Sequence, residues 1–132
     1  MAARPTSFRL PEGLLARVEQ QARTEGTSVS GLVSSMLDEA VKTREFPGIV
    51  YRPGPAGRRA AVAGGPDVWE LVRAIKGTTG RQEQRIATVA KARGVSSATL
   101  RLAIDFYAAF PTEIDERIAE DERAAERVRE LV

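Results

Sequence analysis

The chain reads as mainly α, with a small amino-terminal module that needs a second copy of itself and a separate small helical module behind it. Three observations predict this. From Leu14 onward most apolar residues recur at three- and four-residue spacing rather than alternating. One short alternating run, Ser7 to Leu10 within "PTSFRLPEGL", stands alone near the amino end. Glycine and proline then cluster in "FPGIVYRPGPAGRRAAVAGGP", separating two helical stretches of different charge.

In the first run Phe8 and Leu10 point to one face of a strand, Ser7 and Arg9 to the other, and Pro11 ends it. Leu14, Leu15, Val18 and Ala22 then mark a short helix that Gly26 stops. Ser28 stands as the cap of a longer helix, its stripe running through Val29, Leu32, Val33, Met36, Leu37, Ala40 and Val41. The Gly/Pro segment holds two extended runs, Ile49 to Arg52 and Arg58 to Val62, which fit a β-hairpin or an irregular linker. Asp67 caps a helix with Val68, Leu71, Val72 and Ile75 on one face.

"RIATVAKARGVSSATLRLAIDFY" reads as helix, tight turn, helix. Ile86, Val89 and Ala90 line the first, Gly94 makes the turn, and Ser96 or Ser97 caps the second. Leu100, Ala103, Ile104 and Tyr107 form its core side. Pro111 closes that helix, Thr112 and Asp115 resemble a capping box, and a last helix carries Ile114, Ile118, Ala125, Val128 and Val132. The expected division is therefore residues 1–45, 46–111 and an acidic carboxyl-terminal helix over 112–132.

Composition narrows the function. At 132 residues and 42% hydrophobic content, neither half can bury a large core alone, so association with other chains is expected. There is no cysteine and no histidine, which removes disulfides, thiolate metal sites, the usual nucleophile and the usual general base. No metal, cofactor or phosphate loop is called for, an enzyme is disfavoured, and a reducing cytoplasm is the natural compartment. No apolar run approaches a membrane span. Residues 1–45 are neutral, 46–110 carry a net +6 and 111–132 a net −4. The basic middle suits a polyanion, and the acidic tail suits a basic partner, a basic region of the same protein, or plain solvated surface.

An orphan strand before two helices is most simply paired with the same strand of another copy, antiparallel about a two-fold axis. Phe8 and Leu10 then pack beneath the helices, and Ser7 and Arg9 of each chain stand on the outer face. Such a ribbon fits the major groove of B-DNA, where an arginine can read guanine through two hydrogen bonds. The order of alternating strand, proline, short helix, glycine, serine cap and longer helix over residues 6 to 43, "TSFRLPEGLLARVEQQARTEGTSVSGLVSSML", resembles the ribbon-helix-helix family of MetJ/Arc/CopG type. The resemblance implies a swapped β-ribbon dimer in which Ser7 and Arg9 read bases. Pro5 occupies a third outward position and cannot donate, so reading would extend through Arg4. It also implies that the backbone at Ser28, Val29 and Ser30 clamps a DNA phosphate, consistent with the positive end of a helix dipole.

Residues 46 to 118, notably "FPGIVYRPGPAGRRAAVAGGPDVWELVRAIKG" and "GVSSATLRLAIDFYAAFPTEIDERI", resemble the domain attached to VapB-type antitoxins, which has a helix-turn-helix core. That likeness implies a type II antitoxin whose companion is a PIN-like ribonuclease. If the second module binds DNA, Ser97, Thr99 and Arg101 face the groove, with Arg58 and Arg59 on phosphates; the alternative is a helical scaffold that docks a protein. Aromatic residues such as Trp69, Phe106, Tyr107 and Phe110 usually belong to a core. Yet Leu102, Phe106 and Ala109 lie off the stripe of their helix, which offers a partner surface that includes Phe110. An acidic helix could also compete for the RNA groove of a nuclease through Glu122, anchored by Ile114, Ile118, Val128 and Leu131. The expected function is thus an antitoxin that binds operator DNA as a dimer, represses its own operon and neutralises a toxin. The rival reading is a repressor or partition-type regulator without a toxin.

Overall fold

The computed structural model describes residues 3–132, which fall into two compact units, residues 1–42 and 43–132. In the first, residues 3–11 carry no regular structure, and Pro11 leads into α1 (Glu12–Glu25). Gly26, at φ 67°, ends α1 in the left-handed conformation, and its amide and that of Thr27 return to the last carbonyls of the helix. Ser28 then opens α2 (Val29–Glu45), its Oγ accepting the Gly31 amide at 3.0 Å. A Cβ at position 31 would stand 3.0 Å from both the Ser28 and Thr27 hydroxyls, so glycine there leaves room for the cap.

The core of this unit is small: Val18, Ala22 and Leu32, with Val33 against them. Leu14, Leu15, Met36, Leu37 and Val41, on the same helices, stay at least a third exposed. The expected strand over Ser7–Leu10 is not formed in the single chain. A strand is defined by its ladder, and no other segment of the described chain pairs with this one.

The second unit begins at the end of α2. Phe46 leads into a hairpin of β1 (Ile49–Arg52) and β2 (Arg59–Val62), antiparallel, with Ile49 opposite Val62 and Arg52 opposite Arg59. The open choice between hairpin and linker is thus decided for the hairpin; its prolines 53 and 55 sit in the connection, where no ladder amide is needed. Four helices follow: α3 (Val68–Lys76), α4 (Gln82–Arg93), α5 (Ser97–Ala109) and α6 (Pro111–Leu131). Asp67 starts α3, its amide donating to the Glu70 carboxylate at 3.0 Å. Gly94, at φ 67°, makes the α4–α5 turn, and Ser96 Oγ caps α5 by accepting the Thr99 amide at 3.0 Å.

Val62, Val68, Leu71, Ile86, Leu100, Phe106 and Ile114 fill one core that joins hairpin and helices. Among the described residues no helix is long and apolar enough to cross a membrane.

Two expectations need correction. The Thr112/Asp115 capping box does not form: Pro111, whose fixed φ suits a first helical position, already starts α6, and Thr112 lies inside the helix. Asp115 instead accepts from the Tyr107 hydroxyl at 2.8 Å and pairs with Lys76 at 3.2 Å. Nor does α5 have a free apolar side. Phe46 packs edge-on against Phe106 and Phe110, at ring-centroid separations of 5.4 and 5.8 Å, and Leu102 lies so close to Gly48 that a Cβ there would meet it at 2.8 Å. The segment entering the hairpin covers the side that periodicity left open.

Candidate nucleic-acid interface

The first unit presents an arm and a helix start. Arg4, Ser7 and Arg9 are exposed along residues 3–11, where the Thr6 hydroxyl donates to the Arg4 carbonyl at 3.5 Å. Among the described residues no ion pair engages Arg4 or Arg9, so both guanidinium groups can meet an anion without first giving up a partner there. Ser28, Val29 and Ser30 are exposed at the first turn of α2. The Ser28 hydroxyl satisfies the Gly31 amide, and no acidic side chain stands in that turn to neutralise the positive end of the helix.

In the same arm Phe8 is 69% exposed and Leu10 40%. Leu37 and Val41 are half exposed on α2, so the unit leaves large apolar side chains in water beside its small core.

The candidate DNA contacts of the second unit are placed differently. Arg59 is held by Asp67 and also donates to the Pro53 carbonyl, so it serves the hairpin rather than an open face. Arg58 is exposed and donates to the Tyr51 carbonyl at 3.2 Å. Thr99 is drawn into the α5 cap, its hydroxyl accepting from Ser96 Oγ at 2.9 Å. Arg101 grips the Glu83 carboxylate with both terminal nitrogens, at 3.2 and 2.6 Å, and this bond holds the Glu83 carboxyl below its ordinary range. Ser97 alone is exposed without a side-chain role in the fold. An exposed ion pair opens at small cost, so Arg101 stays able to change partners.

The proposed docking set over the last helices also divides. Phe106 and Ile114 are 0% and 1% exposed and belong to the core, which corrects their reading as surface anchors. Phe110 and Ile118 are partly buried against that core. Only Glu122, Val128 and Leu131 stand out in water, on the part of α6 beyond the core.

A polar centre that residue patterns did not reveal lies at the hairpin. Asp67, 5% exposed, receives Arg52 at 3.0 Å, Arg59, and the Trp69 indole N–H at 3.0 Å. Arg117 of α6 donates to the carbonyls of Ala56 and Arg58 at 2.7 and 2.6 Å, pinning the hairpin loop. Beside them runs an open groove in which Arg52, Arg59, Arg93 and Arg117 are balanced by Asp67, Glu70, Glu120 and Asp121. With the charges matched, it has no net field to draw an anion. The signal in the sequence was only a capping aspartate among arginines spaced for two paired strands. Among the described residues no cluster of His, Cys, Asp or Glu could hold a metal ion.

No curated protein and no solved structure matches the chain significantly. Residues 9–45 match the family model described as a CopG-like RHH_1 or ribbon-helix-helix domain, RHH_5, and residues 46–132 lie outside the match. Domains of that family bind DNA and are typically dimeric, and the similarity of residues 9–45 to them suggests a DNA-binding transcription regulator.

Proposed function

We propose that the protein is a cytoplasmic, homodimeric repressor that reads operator DNA through its paired amino-terminal arms. The observation that supports it most is the exposed arm, in which Arg4, Ser7 and Arg9 alternate in sequence with exposed Phe8 and Leu10, leading into a helix pair whose apolar stripe is uncovered. Pairing two arms antiparallel would complete the ribbon, bury Phe8 and Leu10 under the four helices, and set both Arg9 side chains toward one groove. The amides at Ser28, Val29 and Ser30 would take the flanking phosphates.

The test is selection of a DNA site from random duplexes, followed by titration of Arg9→Ala. The substitution should lose about 1–3 kcal/mol on the selected site and relax preference at one base pair in each half-site. Equal binding by variant and parent would remove Arg9 from the reading role.

The wider role we propose is that of an antitoxin. The supporting observation is α6, which carries a net −4 over its length and whose outer turns leave Val128 61% and Leu131 87% exposed, with Glu122 also in water. That surface is suited to the basic RNA groove of a PIN-like nuclease. Co-expression with a nuclease encoded next to this gene should yield a complex and restore growth; no complex and no rescue would leave a repressor alone.

A further inference from the structure

The apolar stripe of α6 does not stop where the core stops. Ile114, Ile118, Asp121, Ala125, Val128 and Val132 follow one another at alternating spacings of four and three, the a/d rhythm of a coiled coil. Ile114 is buried and Ile118 packs on the core, but Ala125, Val128 and Val132 continue the same seam into water. A seam with that period wants a helix alongside it.

We propose that this partner is the same segment of a second copy, running antiparallel, so that the chain has a self-association site at its carboxyl end, separate from the amino-terminal arm. Charge decides both partner and direction. With Ala125 of one helix level with Val128 of the other, one flank of the seam sets Glu122 against Arg129 of the partner helix, twice by symmetry. The other flank sets Ala124 against Leu131, widening the apolar strip. Asp121 falls at the end of the pair, opposite Val132, and keeps its bond to Arg73. A parallel pair would instead place the two Asp121 carboxylates face to face, set Arg129 against Ala124, and oppose Glu122 only with Arg117, which already holds the hairpin loop. Arg129 bonds Glu126 within its own helix, but both groups are more than half exposed and the exchange costs little. The seam is short, so the association is weak and strengthens when another contact already holds two chains together. A toxin on this face would have to displace it.

The test uses the full chain, which has no cysteine of its own. Pyrene is attached through Arg127→Cys or Val132→Cys. In the antiparallel pair the two labels at 127 are level, whereas those at 132 stand about 16 Å apart along the axis. Excimer emission is therefore expected from the first and not from the second. Adding Glu122→Arg to the first should abolish the signal, and adding Arg129→Glu as well should restore it. Excimer emission from position 132, its absence at 127, or a loss that the second charge reversal does not repair overturns the proposal. Because the readout is confined to the tail, it stands or falls independently of DNA binding.

Discussion

Substituting Phe8 by alanine probes the arm directly. In the single chain this ring is 69% exposed. If pairing of two arms buries the remainder, the gain is about two-thirds of the roughly 2–3 kcal/mol for hiding a large apolar side chain, or about 1.5–2 kcal/mol per copy. Two copies contribute, so Phe8→Ala should cost the dimer about 3–4 kcal/mol, a rise in dimer dissociation constant of two to three powers of ten. Folding of a single chain should barely change, since Phe8 lies outside the core of Val18, Ala22 and Leu32. Sedimentation equilibrium over a dilution series gives the dissociation constant, and anisotropy with a labelled operator should show the same loss at low protein concentration. A dissociation constant within threefold of the parent would mean that the arms do not pair through this ring, and the ribbon would have to be abandoned.

Other perturbations address the second unit. Asp67→Ala removes a helix cap worth about 1 kcal/mol and strands two arginines and an indole N–H; because the guanidinium groups, 39% and 30% exposed, can rehydrate, a total loss of about 2–3 kcal/mol is expected in urea unfolding. A change below about 0.5 kcal/mol would show the hub to be ornamental. Phe106→Ala opens a hole among Phe46, Phe110 and the core and should cost about 3–5 kcal/mol, measured the same way, with operator affinity per folded molecule unchanged. The Tyr107 hydroxyl and then the Lys76 ammonium hold the Asp115 carboxyl below its ordinary range. Its folded value being the lower, the stabilisation is present at neutral pH and is lost as pH falls through that value. The melting-temperature gap between the parent and Asp115→Asn should therefore close on acidification below the ordinary carboxylate range, and a gap that is constant with pH would refute the link.

Much of this fold could be read from residue order because its punctuation is local. Pro11, Gly26, Ser28, Asp67, Gly94 and Ser96 act through their own backbone geometry or the next turn, and each marks a boundary where the structure has one. What could not be read depends on residues far apart in the chain. Periodicity alone made Phe106 a surface candidate; its burial depends on Phe46, sixty positions earlier. Arg59 looked like a phosphate ligand until the hairpin brought Asp67 beside it. Arg117 would pass for one more charge on a solvated helix, yet it reaches two carbonyls of the hairpin loop. The strand expected at Ser7–Leu10 does not form for a related reason, since no other segment of the described chain pairs with it.

The place of Phe46 has a practical bearing on dissecting the protein. It follows α2 by a single residue, yet its ring is part of the aromatic trio that seals the far domain. A carboxyl-terminal fragment that starts at Glu45 keeps that plug, whereas one that starts at Pro47 begins life with a hole in its interior. Two fragments differing by two residues should therefore behave as a stable protein and an insoluble one.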